Sequence, residues 1–270
     1  MSDLLREHAP ISADAWEAID GEAKRTLEVL LAARRFVDFN GPLGWSTSAI
    51  SNGRTDTLTS ALQEGVVSRI RRVQPLIEIR VPFEVSRAEL DAIGRGARDA
   101  DLNPVRNAAR AAAIAEDRAV FQGYSPAGIE GIFPASTRHG LTIPDQFELY
   151  PDVVAEATHR LRSEGVCGPY GIALGPRCYT GLTRSTTRGY PIIDHVRQLV
   201  DGPIVWAPAA DGAVVISLRG GDFELSVGQD FSIGYLDHTS TSVLLYLQES
   251  FTFQGLTPEA AVPLTYPAKE

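Results

Sequence analysis

Cysteine and histidine are both scarce in this chain of 270 residues. Cys167 and Cys178 are its two thiols, so neither a disulfide framework nor a Cys-x-x-Cys redox or zinc arrangement is written, and two buried free thiols are the plain expectation. The five histidines, His8, His139, His159, His195 and His238, are scattered. No His-Glu-x-x-His occurs and no pair stands at ligand spacing beside a carboxylate, so no metal is expected. Positive charge is the minority sign: 25 Lys and Arg face 34 Asp and Glu, and the net charge of −9 speaks against a nucleic-acid or anionic-membrane partner. Long apolar runs are missing as well. Stretches such as Ile204 to Ala210 and Val243 to Leu247 fall far short of the roughly 18–20 residues a membrane span requires. The first residues carry no basic stretch ahead of an apolar one, as a secretory signal would, so the expected compartment is the cytosol.

Reactive constellations are equally hard to find. Gly123-Tyr124-Ser125-Pro126-Ala127-Gly128 has one residue too many for a nucleophile elbow and a proline after its serine, which makes it a turn. Gly94-Arg95-Gly96-Ala97-Arg98-Asp99 begins like a dinucleotide fingerprint but ends on aspartate and follows a helix rather than a strand. Arg69, Arg71 and Arg72 form a basic cluster, yet on a strand 72 faces away from 69 and 71. That fits carboxylate pairing between strands or subunits better than phosphate binding. Glu116 and Asp117 are adjacent helical positions that diverge by about 100°, so a salt-bridged helix face is expected rather than an acid/base pair. No enzyme is expected.

What is present is a succession of well-marked elements. Ser12 precedes a stretch in which Trp16, Ile19, Ala23, Leu27, Leu30 and Leu31 recur at three- and four-residue steps, predicting an amphipathic helix over about Asp14 to Arg34. An extended stretch, Phe36 to Phe39, runs into the Asn40-Gly41-Pro42 break. From Gly44 to Arg80 no helical period survives; the texture predicts a long β-excursion too poor in apolar residues before Val66 to make its own core, and so one buried elsewhere, for example on a second subunit. Ser86-Arg87-Ala88-Glu89 has the form of a capping box opening a short helix to about Ile93. Asn103-Pro104 opens an alanine-rich helix that ends at Gly123. Helices are then expected over Pro151 to Glu164, Pro176 to Thr183 and Pro191 to Val200. Strands are expected over Tyr170 to Leu174, Pro203 to Trp206, Ala213 to Leu218, Phe223 to Val227, Phe231 to Tyr235 and Ser242 to Phe253. The fold class is α+β.

Several blocks, taken in order, carry a family resemblance. They are Leu5-Arg6-Glu7-His8-Ala9-Pro10-Ile11 with Ala15-Trp16, Ala33-Arg34-Arg35-Phe36-Val37-Asp38-Phe39 with Gly41-Pro42, and Pro75-Leu76-Ile77-Glu78-Ile79-Arg80. Glu116 to Gly123, Gly168-Pro169-Tyr170, Gly189-Tyr190-Pro191-Ile192, Arg219-Gly220-Gly221-Asp222-Phe223, Gly228 to Tyr235 and Gln248 to Phe253 follow. From Leu4 to about Leu264 the chain resembles the family 1 encapsulin shell proteins, the group once labelled linocin-type bacteriocins. The resemblance implies the tailed-phage major capsid protein fold (Hong Kong 97 type). Residues 1–44 would be the N-terminal helix and arm, 45–80 the extended loop, 81–130 the peripheral domain with its spine helix, 131–222 the axial domain, and 223–270 the return strands of the peripheral domain and the tail.

The resemblance also implies a function: copies of the chain, commonly sixty, close into an icosahedral shell in the bacterial cytoplasm. Such a nanocompartment holds a cargo enzyme, a peroxidase or a ferritin-like protein, through a peptide at the cargo C-terminus. The matching peptide-binding positions are Arg34, Asp38, Phe39, Phe231, Ile233 and Tyr235, with plain core packing as the other reading of the aromatics. The loop Ser185-Thr186-Thr187-Arg188-Gly189-Tyr190 matches the fivefold pore lining, although Arg184 and Arg188 also suit a helix C-terminus. Ala88 stands where some relatives carry an aromatic residue tied to flavin binding, so no cofactor is implied. The tail from Thr265 runs past the usual end and is expected to be loose. Two rival readings remain, a phage or prophage major capsid protein packaging DNA and, less favoured, a bacteriocin or protease.

Overall fold

The computed structural model describes residues 4–60, 62–187 and 189–267, and its first long element is helix α1, Ala13–Leu30. Ser12 Oγ accepts the Ala15 amide at 3.3 Å and caps the first turn. Ala15, Ile19, Ala23, Leu27 and Leu30 form its buried stripe. The predicted run to Arg34 stops early, because the amides of Ala32 and Ala33 donate to the buried Asp117 carboxylate at 3.0 Å each, and Ala33–Arg35 tighten into a 3-10 turn. A long-range carboxylate thereby takes over where the α-helical ladder would have continued.

Strand β1 (Asp38–Asn40) follows, then β2 (Ala49–Thr57) and β3 (Arg69–Pro75), which pair only with each other as an antiparallel ribbon. Arg72 pairs with Asp56 across it, the inter-strand job expected of the basic cluster. The ribbon leaves Leu58, Leu62, Val66, Val67, Ile70 and Val73 exposed, Leu62 to 88%. An apolar set of this kind on an unsupported hairpin calls for a covering surface outside the chain's own core.

Strand β4 (Ile77–Ser86) leads into α2 (Arg87–Gly94) and the alanine-rich α3 (Asn103–Phe121). The expected capping box does not form: Ser86 makes no side-chain cap, and Glu89 Oε2 accepts the Asp101 amide at 2.8 Å, stitching the turn between the two helices. Asp101 Oδ1 in turn accepts the Asn103 amide at 3.0 Å, at the entry to α3. Past α3, Gly123 adopts φ +84°, and its backbone meets Gly131 so closely that a Cβ on either residue would lie under 3 Å from the other's amide nitrogen.

The second half alternates. It comprises α4 (Ile132–Ala135), β5 (Leu141–Thr142), α5 (Tyr150–Ser163), β6 (Tyr170–Leu174), α6 (Pro176–Arg184), β7 (Thr186–Thr187), β8 (Tyr190–Pro191), α7 (Ile192–Arg197), β9 (Ile204–Trp206) and β10 (Ala213–Ser217). The chain closes with β11 (Phe223–Val227), β12 (Ser232–His238), β13 (Ser242–Gly255) and β14 (Ala261–Thr265). Two five-stranded sheets result. In the first, ordered β1-β11-β13-β12, the 14-residue β13 also pairs with β4; the second is ordered β5-β14-β10-β6-β9. Over residues 243–248, β13 holds β12 on one edge and β4 on the other, which leaves β12 at the sheet margin. Ala108, Ala109, Ala112 and Ala113 on α3 are all buried between α1 and this sheet, where their small side chains let Phe83, Val85, Ile233, Val243, Leu245 and Leu247 approach.

Two expectations need correction. Cys178 is buried as supposed but Cys167 is exposed. The first residues of the tail are not loose: Thr265 ends β14, which lies between β5 and β10, and the Tyr266 hydroxyl sits 2.9 Å from Cys178 Sγ and 3.2 Å from the Tyr150 hydroxyl, while residues 268–270 lie outside the described residues. The last strand therefore belongs to the second sheet rather than with residues 223–255 in the first. The crowding at α3 is testable. Ala109→Leu adds a side chain where none fits and should cost about 1–3 kcal/mol, read as a lower thermal unfolding midpoint. Ala111→Leu on the exposed face of the same helix should stay within about 0.5 kcal/mol.

Candidate functional site

Between α1 and the marginal strand β12 runs a groove of about 670 Å³. Ala23, Leu27 and Leu31 form one wall, Phe231 and Ile233 the other, and Leu247 the floor. One end is closed by the N-terminal segment, where the Tyr235 amide donates to the Leu4 carbonyl at 2.9 Å. Arg6 pairs there with Asp20 at 2.7 Å and lies over the Trp16 ring at 3.9 Å. Arg34 marks the other end.

Arg34 is a tightly held cation. Its Nε lies 3.0 and 2.9 Å from the two Glu116 oxygens, while Nη2 approaches Glu116 at 2.5 Å, Glu249 at 2.6 Å and Asp230 at 2.8 Å. Nη2 carries two hydrogens, so three carboxylates compete for them. The rings of Phe39 and Phe231 sit 4.9 and 5.1 Å from the guanidinium carbon, close enough for cation–π contact. Burial works against the charge on Arg34, yet the hydrogen bonds of Glu116 and Asp230 and the charge of Glu249 outweigh it and hold its pKa above the ordinary guanidinium range.

The carboxylates respond in the opposite sense. Glu116 and Glu249 are fully buried, and Glu249 Oε2 has no protein donor. Burial first, then the charge of Glu116, pushes Glu249 well above the carboxylate range. Asp117, beside them on α3, is pushed up to about 7, chiefly by burial, although the Ala33 amide draws it back. Neighbouring residues on α3 thus reach different partners. Glu116 binds Arg34 and Asp117 binds the 3-10 turn, so the expected surface salt-bridge face is instead an interior one.

The structure brings together only some of the anticipated peptide-binding residues. Arg34, Phe231 and Ile233 line the groove. Phe39 stacks against Arg34 from outside it and is 41% exposed. Asp38 turns away and accepts the Gly221 amide at 2.6 Å, beside a separate cleft of about 180 Å³. Tyr235 lies beyond the N-terminal segment, its hydroxyl bonded to His238 Nδ1. Glu249 and Asp230 escaped sequence reasoning as site residues. A signal existed in Glu249, the one charged residue in the stretch that became β13. Ser185, Thr186, Thr187, Gly189 and Tyr190 belong to a separate small hairpin, β7–β8, whose tip exposes Tyr190 to 68%. Arg188 lies outside the described residues. Among the described residues no group of three or more His, Cys, Asp or Glu could hold a metal, and no helix is long and apolar enough to cross a membrane.

Comparison with known proteins settles the kinship. Residues 1–252 match the family model described as encapsulating protein for peroxidase. The type 1 encapsulin shell protein of Rhodospirillum rubrum is 57% identical over 270 residues, covering 98% of this chain and 96% of that protein. That of Mycobacterium tuberculosis is 46% identical, covering 98% and 100%. The chain belongs to the encapsulin family. Solved structures show the capsid fold: a virus-like particle from Pyrococcus furiosus superposes with a TM-score of 0.64 at 14% identity, covering 92% of this chain and 98% of that one. Mycobacterium phage Cain gives 0.54 at 15%, covering 89% and 91%. The phage-capsid rival therefore shares the fold, while whole-chain identity sides with the encapsulins. This encapsulin is a shell-forming protein with a structural role, building a closed homo-oligomeric particle.

The raised pKa values beside Arg34 have a measurable consequence. The folded-state pKa values of Glu249 and Asp117 lie above those of unfolded carboxylates, so the stability they contribute is complete below about pH 4. That contribution is lost as pH rises, through about 7 for Asp117. Glu249→Gln keeps the neutral form at every pH. Its thermal midpoint should exceed that of the unsubstituted protein by more at pH 8 than at pH 5, and a difference independent of pH would contradict the assignment.

Proposed function

We propose that this encapsulin encloses a cargo enzyme in the bacterial cytoplasm and captures it by a short C-terminal peptide laid in the groove between α1 and β12. The observation that carries this reading is the groove itself. It is an apolar trench beside a marginal strand, deep enough for small aliphatic anchors and framed at both ends by polar groups. The printed description of the family model names a peroxidase as the encapsulated enzyme, and a peroxidase or a ferritin-like protein is the cargo class. Sixty copies form the shell, the β2–β3 ribbon of each lying across a neighbour so that its exposed apolar residues are covered between chains. The loop 185–190 lines a pore for small solutes where five copies meet. The two sheets correspond to the peripheral and axial domains.

Two experiments bear on this. Phe231→Asp places a charge on a half-buried groove wall and should give shells of normal size that are empty on a gel of co-purifying chains; full cargo loading would move the site elsewhere. Deleting residues 55–60 from the ribbon should give monomers or small oligomers in light scattering, and particles of normal size would contradict the bridging role.

A further inference from the structure

Among the described residues, Leu5 is the one residue other than glycine with a positive φ, at +51° with ψ 25°. A leucine in this left-handed region brings its Cβ against the following carbonyl, a cost that persists only where the surroundings impose it. Its own side chain does not impose it, being 38% exposed and outside both apolar cores. The neighbours on either side do. The Leu4 carbonyl accepts the Tyr235 amide at 2.9 Å, which fastens the chain to β12. Arg6 pairs with Asp20 at 2.7 Å and covers the Trp16 ring at 3.9 Å, which fastens it to α1. β12 and α1 are the two walls of the groove, and Leu4 and Arg6 both line it. A single residue therefore carries the chain from wall to wall across the end of the groove, and the left-handed turn at Leu5 is how it does so. The fastenings are shallow: no residue of the 3-10 turn Arg6–His8 is buried, and the side chains of Arg6 and Asp20 are 31% and 46% exposed. The opposite end of the groove differs in kind, since there Arg34 is held by the fully buried Glu116 and Glu249.

We propose that residues 4–8 are a strap that a guest chain displaces on entering the groove. This rests on the groove being the cargo site and adds how that site opens. The hydrogen bond at Tyr235 is exchangeable, because a guest carbonyl can accept that amide as Leu4 does and the number of main-chain bonds is unchanged. Alternation along β12 turns the Ile233 amide to the same edge, so an extended guest meets two donors there. Release of Leu4 lets Leu5 return to an ordinary backbone conformation, and strain held in the empty site is given back when the site fills. What the exchange loses is the contact of Arg6 with Asp20, an exposed pair of small value.

The test uses assembled shells, checked by electron microscopy, and amide hydrogen exchange read by mass spectrometry on fragments covering β12 and residues 4–9. Leu5→Gly and Leu5→Ala both remove the leucine side chain, but only glycine adopts a positive φ without cost. In empty shells the β12 amides at the strap should exchange about fivefold more slowly in Leu5→Gly than in Leu5→Ala. Arg6→Ala, which unfastens the strap from α1 and leaves Leu5 in place, should speed the same exchange. Shells are also assembled with a limiting amount of a fluorescent protein fused to the C-terminal segment of the protein that co-purifies with them, and loading is read by fluorescence. Leu5→Ala should then load more than Leu5→Gly, and residues 4–9 should exchange faster in loaded shells than in empty ones. Equal exchange in the two Leu5 variants, unchanged exchange in Arg6→Ala, equal loading, or a strap more protected in loaded shells would overturn the proposal. Failure of the groove itself shows differently: Phe231→Asp shells would load normally, while the order of exchange in empty shells would stand.

Discussion

Helix α3, strand β13 and the turn entering β12 are all tied to one guanidinium. Arg34 sits just past the end of α1, yet it is held by Glu116 from α3, Glu249 from β13 and Asp230 from the turn entering β12. A cation with three carboxylates cannot be removed without stranding buried negative charge, a far larger penalty than the pair's net contribution. Arg34 therefore fixes geometry. Its bonds set where α1 stops and where Phe231 points, and the groove is the space left between them.

The same arrangement divides the labour of the chain. The second sheet, whose β6 and β10 are buried along their whole length, is a self-sufficient core. The β2–β3 ribbon has no core of its own, and the groove is an open trench. Under the proposed function both are surfaces finished by other molecules, the ribbon by copies of the same chain and the groove by a guest. A shell wall needs these two kinds of incompleteness, one facing its neighbours and one facing its interior. Closed symmetry lets many modest contacts sum to a durable particle.

Much of this could be read in the sequence, and the failures have a common cause. The stripe of α1, the alanine face of α3 and strand β11 were legible because each is written within a few neighbouring residues. The Arg34 cluster was not. Glu116 is 82 positions from Arg34 and Glu249 is 215 positions away, and no local period records such meetings. The capping box at Ser86 failed for the same reason, since Glu89 found the Asp101 amide after the chain had turned back. The tail looked loose because β14 holds only five residues, and its place in the second sheet depends on β5 and β10, far earlier in the chain. Among the peptide-binding positions implied by family resemblance, Arg34, Phe231 and Ile233 meet in space. Asp38 is drawn off by the Gly221 amide, a contact that becomes visible only once β1 lies beside β11.

The most direct measurement is an electron cryo-microscopy map of the cargo-loaded particle. The account predicts an extended peptide along β12 on the inner wall of each occupied subunit, with Arg34 still bound to Glu116 and Glu249 and the ribbon seated on an adjacent chain. A map in which a neighbouring subunit fills the space between α1 and β12, or in which guest density attaches elsewhere, would contradict it.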